Sequence, residues 1–302
     1  MEKVNTSLNI PPVGLGTVPL LQFGQSWLRS KNPFVRRAVW YMNIPYQIYQ
    51  GYKLTETITD ALQNGYRLID TSRAYGVEKW IGKAISQSAV PRKDIFITTR
   101  ISNQEQYSGR VREAVLNSLE LLRTDYIDLY MLHWPVEEYF IESWKVLEEF
   151  YLQGKIKYLG VANFHQHHLK KLLDNITVKP VVNQFEIHPL FSQKKLVKFC
   201  HDHSIAVEAY TPLGRFDVRI AENPFLVSLG EKYNKTVAQI VLRWHIQNSI
   251  IPIPRSSRHQ GLLENIDVFN FSLTEEDMIG IDNLNRDIRL RFNPDTADMR
   301  KL

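Results

Sequence analysis

Short apolar runs rich in β-branched residues recur along the whole chain, and this repetition constrains the fold more than any other feature. Each run is continuously apolar, which is typical of a strand buried on both faces of a parallel sheet. Eight such runs are present, at residues 13–17, 66–70, 95–99, 127–132, 158–161, 181–185, 206–209 and 250–253. The chain is therefore predicted to build a parallel sheet.

The segments between these runs have apolar residues at helical spacing, as in residues 111–122 and 141–152. The predicted inward faces of these two helices carry Val115, Leu119, Leu122, Trp144, Leu147 and Tyr151. Strand and helix alternate without a linker or a break in composition. This favours a single (β/α)₈ TIM barrel domain over residues 1–302, with a doubly wound open sheet as the alternative.

Composition limits the class of protein. With 302 residues, of which 44% are hydrophobic, the chain can bury a sizeable core. Cys200 is the only cysteine, and we expect it to be a buried structural thiol and not a nucleophile. The start of the chain lacks an apolar leader and no apolar run reaches the ~20 residues of a membrane span, so we expect a cytoplasmic protein. The net charge of +5 is compatible with acidic ligands but does not require them.

One long connection interrupts the alternation. Residues 18–54 follow the first predicted strand, contain no acidic residue and contain five basic ones with many aromatics. In a barrel this insertion would stand on the active-site face. A lid over the substrate is the favoured interpretation, and a partner or oligomer surface is the second. A platform for single-stranded nucleic acid is the weakest, because no binding motif or basic stripe accompanies it.

Polar residues follow most of the apolar runs, where a parallel barrel places catalytic groups. In chain order they are Asp70 with Tyr75, then Arg100, His133, Asn163, Gln184, Tyr210 and Arg255. An acid, a phenol, a cation and an imidazole on one rim can form a proton-transfer site. A tyrosine acts as a general acid near neutrality when positive charge and hydrogen bonds lower its pKa. The alternative is a strand-end carboxylate that caps a turn, beside an unrelated surface aromatic.

Several ordered motifs then resemble the aldo-keto reductases over nearly the whole chain. The matching segments are residues 14–17 (GLGT), 65–71 (GYRLIDT) with Tyr75 and Glu78, 128–135 (DLYMLHWP), 160–164 (GVANF), Asn183-Gln184 with His188-Pro189, 209–214 (AYTPLG), and 253–256 (IPRS) with Glu264-Asn265. The resemblance implies hydride transfer between NADP(H) and a carbonyl or alcohol. It also explains the lack of a G-x-G-x-x-G motif, since this family binds its dinucleotide extended across the barrel rim.

The resemblance implies roles for individual residues. Tyr75 would donate the proton, His133 would orient the substrate, and Asp70 would anchor Arg100 beside the tyrosine. Asn163 and Gln184 would hold the nicotinamide carboxamide, and Tyr210 would stack on its ring. The predicted cofactor-binding residues are Thr17, Asn163, Gln184, Tyr210, Thr211, Leu213, Arg255, Ser256, Arg258, Glu264 and Asn265.

The chain departs from the family pattern at a few positions. Arg100 replaces the usual lysine, which keeps the positive charge but changes its geometry. A cofactor-binding protein with impaired catalysis is therefore the alternative function. At the adenosine end, Arg255 replaces a lysine and Gly261 an arginine, while Arg258 lies between them. Two arginines favour NADP(H), with NAD(H) as the alternative. Val18 stands where a tryptophan often lines the pocket.

The histidines at positions 165, 167 and 168, and at 201 and 203, raise the question of a metal site. Spacings of two and three along a helix do not by themselves give the compact ligand geometry of zinc. We therefore expect no metal. The predicted partner is a small carbonyl or alcohol substrate with an anionic or aromatic part, without nucleic acid or membrane. A monomer or small homo-oligomer is expected.

Overall fold

The computed structural model of the protein describes residues 8–18 and 33–301, with side chains from residue 48 onward in the second range. Eight parallel strands follow one another around one sheet, and the amide of Gly16 donates to the Pro254 carbonyl beyond the last strand at 2.9 Å. The strands are β1 (Gly14–Gly16), β2 (Leu68–Asp70), β3 (Phe96–Ile101), β4 (Ile127–Leu132), β5 (Ile156–Ala162), β6 (Val182–Glu186), β7 (Ala206–Tyr210) and β8 (Ile250–Ile253). The predicted (β/α)₈ barrel is confirmed, and the open sheet was the wrong alternative.

Helices separate the strands. Their bounds are Pro33–Gln63, Glu78–Ser86, Asn103–Tyr107, Val111–Leu122, Phe140–Leu152, Gln166–Leu173, Lys194–Asp202, Val218–Ala221, Pro224–Tyr233, Val237–Gln247, His259–Ile266 and Glu275–Asp282. The two helices predicted by spacing are present, and five of their six predicted inward residues are buried. Tyr151 was wrongly assigned to the inner face: it is 37% exposed, whereas Phe150, one position earlier, is buried.

The barrel interior changes character along the strands. At the amino ends, Leu68, Phe96, Val182, Ala206 and neighbouring apolar side chains form a buried cluster that Ile10 joins from below. Because successive side chains on a strand point to opposite faces, the residue two positions further on shares the same face. On four strands, the residue two or four positions after the apolar one is polar and buried. These residues are Asp70, Arg100, Gln184 and Glu208. The apolar cluster therefore supports a polar site at the carboxyl ends.

Part of the predicted insertion belongs to the first helix of the barrel. Residues 33–54 lie in the helix Pro33–Gln63, and residues 19–32 lie outside the described residues. Gly51 is buried against Trp80, since a Cβ at position 51 would fall 2.0 Å from the indole ring. Leu54 packs on the main core. An independent insertion therefore ends before Gly51, four residues earlier than the sequence indicated.

Two other expectations concern the single cysteine and membrane-spanning helices. Cys200 is buried, and burial raises the pKa of its thiol to about 12, which fits a structural role. Among the described helices, none combines the length and apolar character needed to cross a bilayer.

Candidate active site

Asp70, Arg100, Gln184 and Glu208 form one buried hydrogen-bonded network inside the barrel. Arg100 pairs with the Asp70 carboxylate, donates from Nε to the Thr71 carbonyl at 3.0 Å, and donates from Nη1 to Gln184 Oε1 at 2.6 Å. The Gln184 Nε2 group donates to Asp70 Oδ2 at 2.9 Å and to Glu208 Oε2 at 2.7 Å. Four strands are therefore joined at their carboxyl ends by a single polar network.

The guanidinium geometry explains how arginine occupies a position where lysine was expected. A planar guanidinium presents donors in several fixed directions, whereas an ammonium is a compact point charge. Arg100 uses three of its nitrogens, on three different partners. Burial raises the pKa of Asp70, while Arg100 and the Gln184 amide oppose that rise. The substitution thus keeps a cation beside Asp70 and extends its contacts to β6.

Tyr75 and His133 lie next to this network. Tyr75 ends a short 3₁₀ helix (Arg73–Tyr75) that follows β2, and Ser72 caps that helix through the Ala74 amide. His133 follows β4, and its ring meets the Tyr75 ring edge-on with centroids 6.1 Å apart. Ser72 Oγ lies 3.3 Å from His133 Nδ1, so one residue orients both side chains. The phenol and the imidazole therefore lie next to each other at the edge of the polar network.

Burial and charge set the protonation of these two groups. Burial raises the pKa of Tyr75 and the Asp70 carboxylate adds to the rise, while Arg100 and Arg291 oppose it. The net direction is upward, contrary to the lowering that the sequence argument required. Burial lowers the pKa of His133 well below its usual value, and Arg100 and Arg291 lower it further. Near neutral pH the site therefore holds a protonated phenol and a neutral imidazole.

Asn163 and Tyr210 occupy the next part of the rim. Tyr210 Oη donates to Asn163 Oδ1 at 2.7 Å, and Asn163 Nδ2 donates to the His133 carbonyl at 2.9 Å. Asn163 and Thr211 both adopt left-handed backbone conformations, with φ of 64° and 53°. This conformation is uncommon for asparagine and a true outlier for a β-branched threonine, costing about 1–3 kcal/mol. Such strain is concentrated at ligand sites.

The side-chain amides of Asn163 and Gln184 can each form one further hydrogen bond, and a ligand that carries a primary carboxamide could use both. Both N–H groups of Gln184 are used, but its carbonyl oxygen accepts one bond and has a second lone pair free. Asn163 Nδ2 has one proton left after its bond to the His133 carbonyl. One acceptor and one donor complement the amino and carbonyl ends of a nicotinamide carboxamide. Thr17 supports the same rim, because its hydroxyl donates to the Asp70 carbonyl at 2.8 Å.

The predicted adenosine end lies after β8. Arg255 is half-buried, burial lowers the pKa of its guanidinium, and neither Arg255 nor Arg258 has a carboxylate partner within the described ranges. Ser256 Oγ accepts the Arg258 amide at 3.2 Å. A Cβ at Gly261 would approach that hydroxyl to 2.5 Å, so the missing side chain leaves room for this turn. Two unpaired guanidinium groups fit a phosphate.

The other predicted cofactor residues are more engaged with the protein. Glu264 accepts a bond from Gln260 on its own helix at 3.2 Å, and Asn265 is buried beside the Tyr66 hydroxyl, whose pKa it lowers. Leu213 is buried at the start of a 3₁₀ turn (Gly214–Phe216). The contact of these three residues with a cofactor stays a prediction.

The C-terminal segment is tied to the rim by Glu186, which the sequence argument missed. The buried Glu186 carboxylate accepts the amides of Leu290 and Arg291 at 2.6 and 3.0 Å and lies 3.0 Å from His188 Nε2. The exposed Arg291 side chain then lies close enough to lower the pKa values of Tyr75 and His133. The only sequence signal was a carboxylate at the end of a buried strand.

The histidine cluster is more compact than its spacing indicated. Donor atoms of His165, His168 and Asp295 lie within 4.8 Å of one another, as do those of Glu137, His167 and His168. The sequence argument considered only histidine spacing and overlooked carboxylates from other segments. Hydrogen bonds already use these groups: the His165 amide donates to His168 Nδ1 at 3.1 Å, and His165 Nδ1 lies 2.9 Å from Asp295. The absence of a metal stays a prediction.

Comparisons with known proteins agree with this geometry. Residues 43–286 match the model of the aldo/keto reductase family. The glyoxal reductase of Bacillus subtilis is 41% identical over 250 residues, covering 83% of this chain and 90% of that protein. The methylglyoxal reductase DkgA of Escherichia coli is 41% identical over 240 residues, covering 79% and 86%. A Bombyx mori aldo-keto reductase, solved in complex with NADP, superimposes with a TM-score of 0.80 at 31% identity, covering 96% and 94%.

The buried ion pair predicts the stability of two variants. Arg100→Met leaves the Asp70 carboxylate without its cation, so we expect the free energy of unfolding to fall by about 3–5 kcal/mol. The double variant Asp70→Asn with Arg100→Met should lose less than the sum of the two single variants, because neither member of the ion pair is then left buried without its partner. Urea unfolding of the four proteins measures this coupling. Additive losses would mean that the two side chains do not stabilise each other.

Proposed function

The chain belongs to the aldo/keto reductase family, and from this premise we propose that Tyr75, His133, Asp70 and Arg100 form the catalytic centre of an NADP(H)-dependent aldehyde or ketone reductase. The protein is an oxidoreductase that acts on a small carbonyl substrate. The observation that carries the residue assignment is the phenol held between a neutral imidazole and a buried Asp70–Arg100 pair.

The proton is transferred by Tyr75. A substrate oxygen would lie between the Tyr75 hydroxyl and the His133 imidazole. The nicotinamide held by Asn163 and Gln184 would supply the hydride for the carbonyl carbon. As negative charge develops on that oxygen, the Tyr75 O–H bond breaks and the alcohol O–H bond forms. The resulting phenolate is stabilised by the Arg100 charge and takes up a proton from solvent. A raised pKa keeps Tyr75 protonated before the reaction, and the Arg100 and Arg291 charges limit that rise.

His133 orients the substrate as a neutral group. A Ser72 hydroxyl that donates to Nδ1 leaves the imidazole proton on Nε2, where it can donate to the carbonyl oxygen. A neutral donor polarises the carbonyl without competing with Tyr75 for the proton.

A catalytically impaired cofactor-binding protein is less well supported. That alternative depended on the replacement of lysine by arginine at position 100. The replacement would impair catalysis if it moved the positive charge away from Asp70 and Tyr75. Arg100 instead keeps its ion pair with Asp70 and its electrostatic effect on Tyr75. The charge that stabilises a phenolate is therefore retained.

The cofactor is NADP(H), as in related enzymes solved with NADP or NADPH. We assign the nicotinamide carboxamide to Asn163 and Gln184, with Tyr210 against the ring. The 2′-phosphate is assigned to the half-buried Arg255 and the exposed Arg258, because two cations that have no carboxylate partner among the described residues favour a doubly charged anion.

The substrate is assigned as a small carbonyl compound that bears an anionic or aromatic part. Relatives are named for glyoxal and methylglyoxal, which are small dicarbonyl compounds. Arg291 adds an exposed cation near Tyr75 and His133, which would attract an anionic group. The basic residues of the insertion include Arg29, Arg36 and Arg37, which would attract the same group, but Arg29 and the side chains of the other two lie outside the described residues.

The segment before Gly51 is assigned as a lid. The first helix starts at Pro33 and packs on the barrel from Gly51 onward. The 18 residues before Gly51 correspond to about 27 Å of helix. In a barrel the amino end of the first helix lies on the active-site side, so this extension leads toward the mouth. Val18, 44% exposed at the end of the first strand, leaves part of the pocket wall for the lid to supply.

Tyr75→Phe should lower kcat for carbonyl reduction by at least about 100-fold, because general acid catalysis is lost. The dissociation constant for NADPH should stay unchanged, since the phenol acts in the transition state. Steady-state rates and NADPH fluorescence titration measure the two quantities. Tyr158→Phe is the matched control, because Tyr158 stacks on Phe96 in the apolar interior. A Tyr75→Phe variant with most of its kcat would remove Tyr75 from the proton-donor role.

Arg255→Ala should weaken NADPH binding by about 10- to 100-fold and leave NADH binding nearly unchanged, because only NADPH carries the 2′-phosphate. Titration of both cofactors gives the ratio of affinities, and Arg112→Ala on an outer helix is the control. An unchanged ratio in Arg255→Ala would place the phosphate elsewhere.

The lid is tested by replacing residues 19–50 with a short glycine-containing turn, which spares the contact between Gly51 and Trp80. We expect kcat/KM to fall for large anionic carbonyl substrates and to stay unchanged for a small neutral aldehyde. An unchanged kcat/KM for every substrate, or a change only in assembly state, would assign the segment to a partner surface.

A further inference from the structure

Glu208 is a buried carboxylate that the proposed reaction does not use. It lies on β7, two residues before Tyr210, with 0% of its surface exposed. Its Oε2 accepts the Gln184 amide at 2.7 Å, whereas its Oε1 has no hydrogen-bond partner among the residues that the structure describes. A buried carboxylate with an unpaired oxygen destabilises the fold, and an apolar residue would avoid this cost. Its presence therefore indicates a function.

The contacts of Gln184 identify that function. Glu208 and Asp70 accept the two N–H bonds of its amide, and Arg100 donates to its oxygen. This pattern permits one orientation of the amide, because a reversed amide would face two acceptors with its oxygen and a cation with its N–H groups. The carbonyl oxygen is thereby fixed on the side of Arg100, and Gln184 can accept a further bond but cannot donate one.

From these contacts we propose that Glu208 is a positioning residue for the nicotinamide, which it orients by fixing the amide of Gln184. This inference rests on the proposed function, because it requires that Gln184 accept a bond from the nicotinamide carboxamide. Glu208 does not touch the cofactor in this arrangement. It acts through one side chain, on the nicotinamide half of the dinucleotide alone.

The charge state of Glu208 supports the same role. Burial raises its pKa to about 7, and the Asp70 carboxylate adds to the rise, while Gln184 and Arg100 oppose it. Asp70 and Arg100 are the charged groups that act on it. An ionised carboxylate accepts an N–H bond more strongly than a carboxylic acid does. The hold on Gln184, and with it the affinity for the nicotinamide half, should therefore strengthen as pH rises through neutrality.

The test compares two ligands in three proteins. NADPH contains the nicotinamide, whereas adenosine 2′,5′-bisphosphate contains only the adenosine half. Calorimetry measures the affinity of both ligands for the wild type, Glu208→Leu and Glu208→Gln. We expect Glu208→Leu to weaken NADPH by about tenfold and to leave the bisphosphate unchanged. Glu208→Gln should lie between, because its amide oxygen can still accept from Gln184. Glu120→Gln on an exposed helix face is the control.

Unchanged NADPH affinity in the folded variants, or an equal loss for both ligands, would overturn the proposal. If Glu208→Leu does not fold, Glu208→Gln provides the test through pH: the ratio of the two affinities should change near pH 7 in the wild type and stay constant in the variant. A variant that keeps the pH step would also overturn it. Failure of the wild type to bind NADPH would instead contradict the proposed function.

Discussion

The buried ion pair between Asp70 and Arg100 is the interaction on which the rest of the site depends. It places opposite charges in the barrel interior, where neither could remain alone without a large cost in stability. Because the guanidinium also reaches Thr71 and Gln184, the pair fixes the carboxyl ends of β2, β3 and β6 relative to one another. Tyr75 and His133 are positioned against this arrangement, and their protonation states respond to its charge.

Much of the fold was predictable because burial on both faces of a strand leaves a simple trace in the sequence. All eight apolar runs became strands, with ends that differ by a few residues. The residues predicted at the strand ends, including Asp70, Arg100, Asn163 and Gln184, come together because parallel strands expose the same end to one rim. Their family resemblance supplied roles that spacing alone does not give.

Other features depend on contacts between distant segments and had no local signal. Glu208 lies within an apolar run, and the candidate site residues were sought only after each run. Because side chains alternate along a strand, Glu208 points to the same face as Tyr210, and this relation predicts that it lies inside the barrel. Glu186 receives its partners from the C-terminal segment, more than 100 positions away. The end of the insertion was set by packing between Gly51 and Trp80, a contact that composition does not reveal. Asp295 and Glu137 join the histidine cluster in the same way.

The site geometry predicts that arginine at position 100 supports a working reductase. A single-turnover experiment tests it most directly: protein saturated with NADPH is mixed rapidly with methylglyoxal while the nicotinamide absorbance is followed. We expect the loss of one reduced nicotinamide for each protein molecule in the wild type, and only a very slow loss in Tyr75→Phe. Tight NADPH binding with no absorbance change for methylglyoxal or for any other carbonyl compound would contradict it.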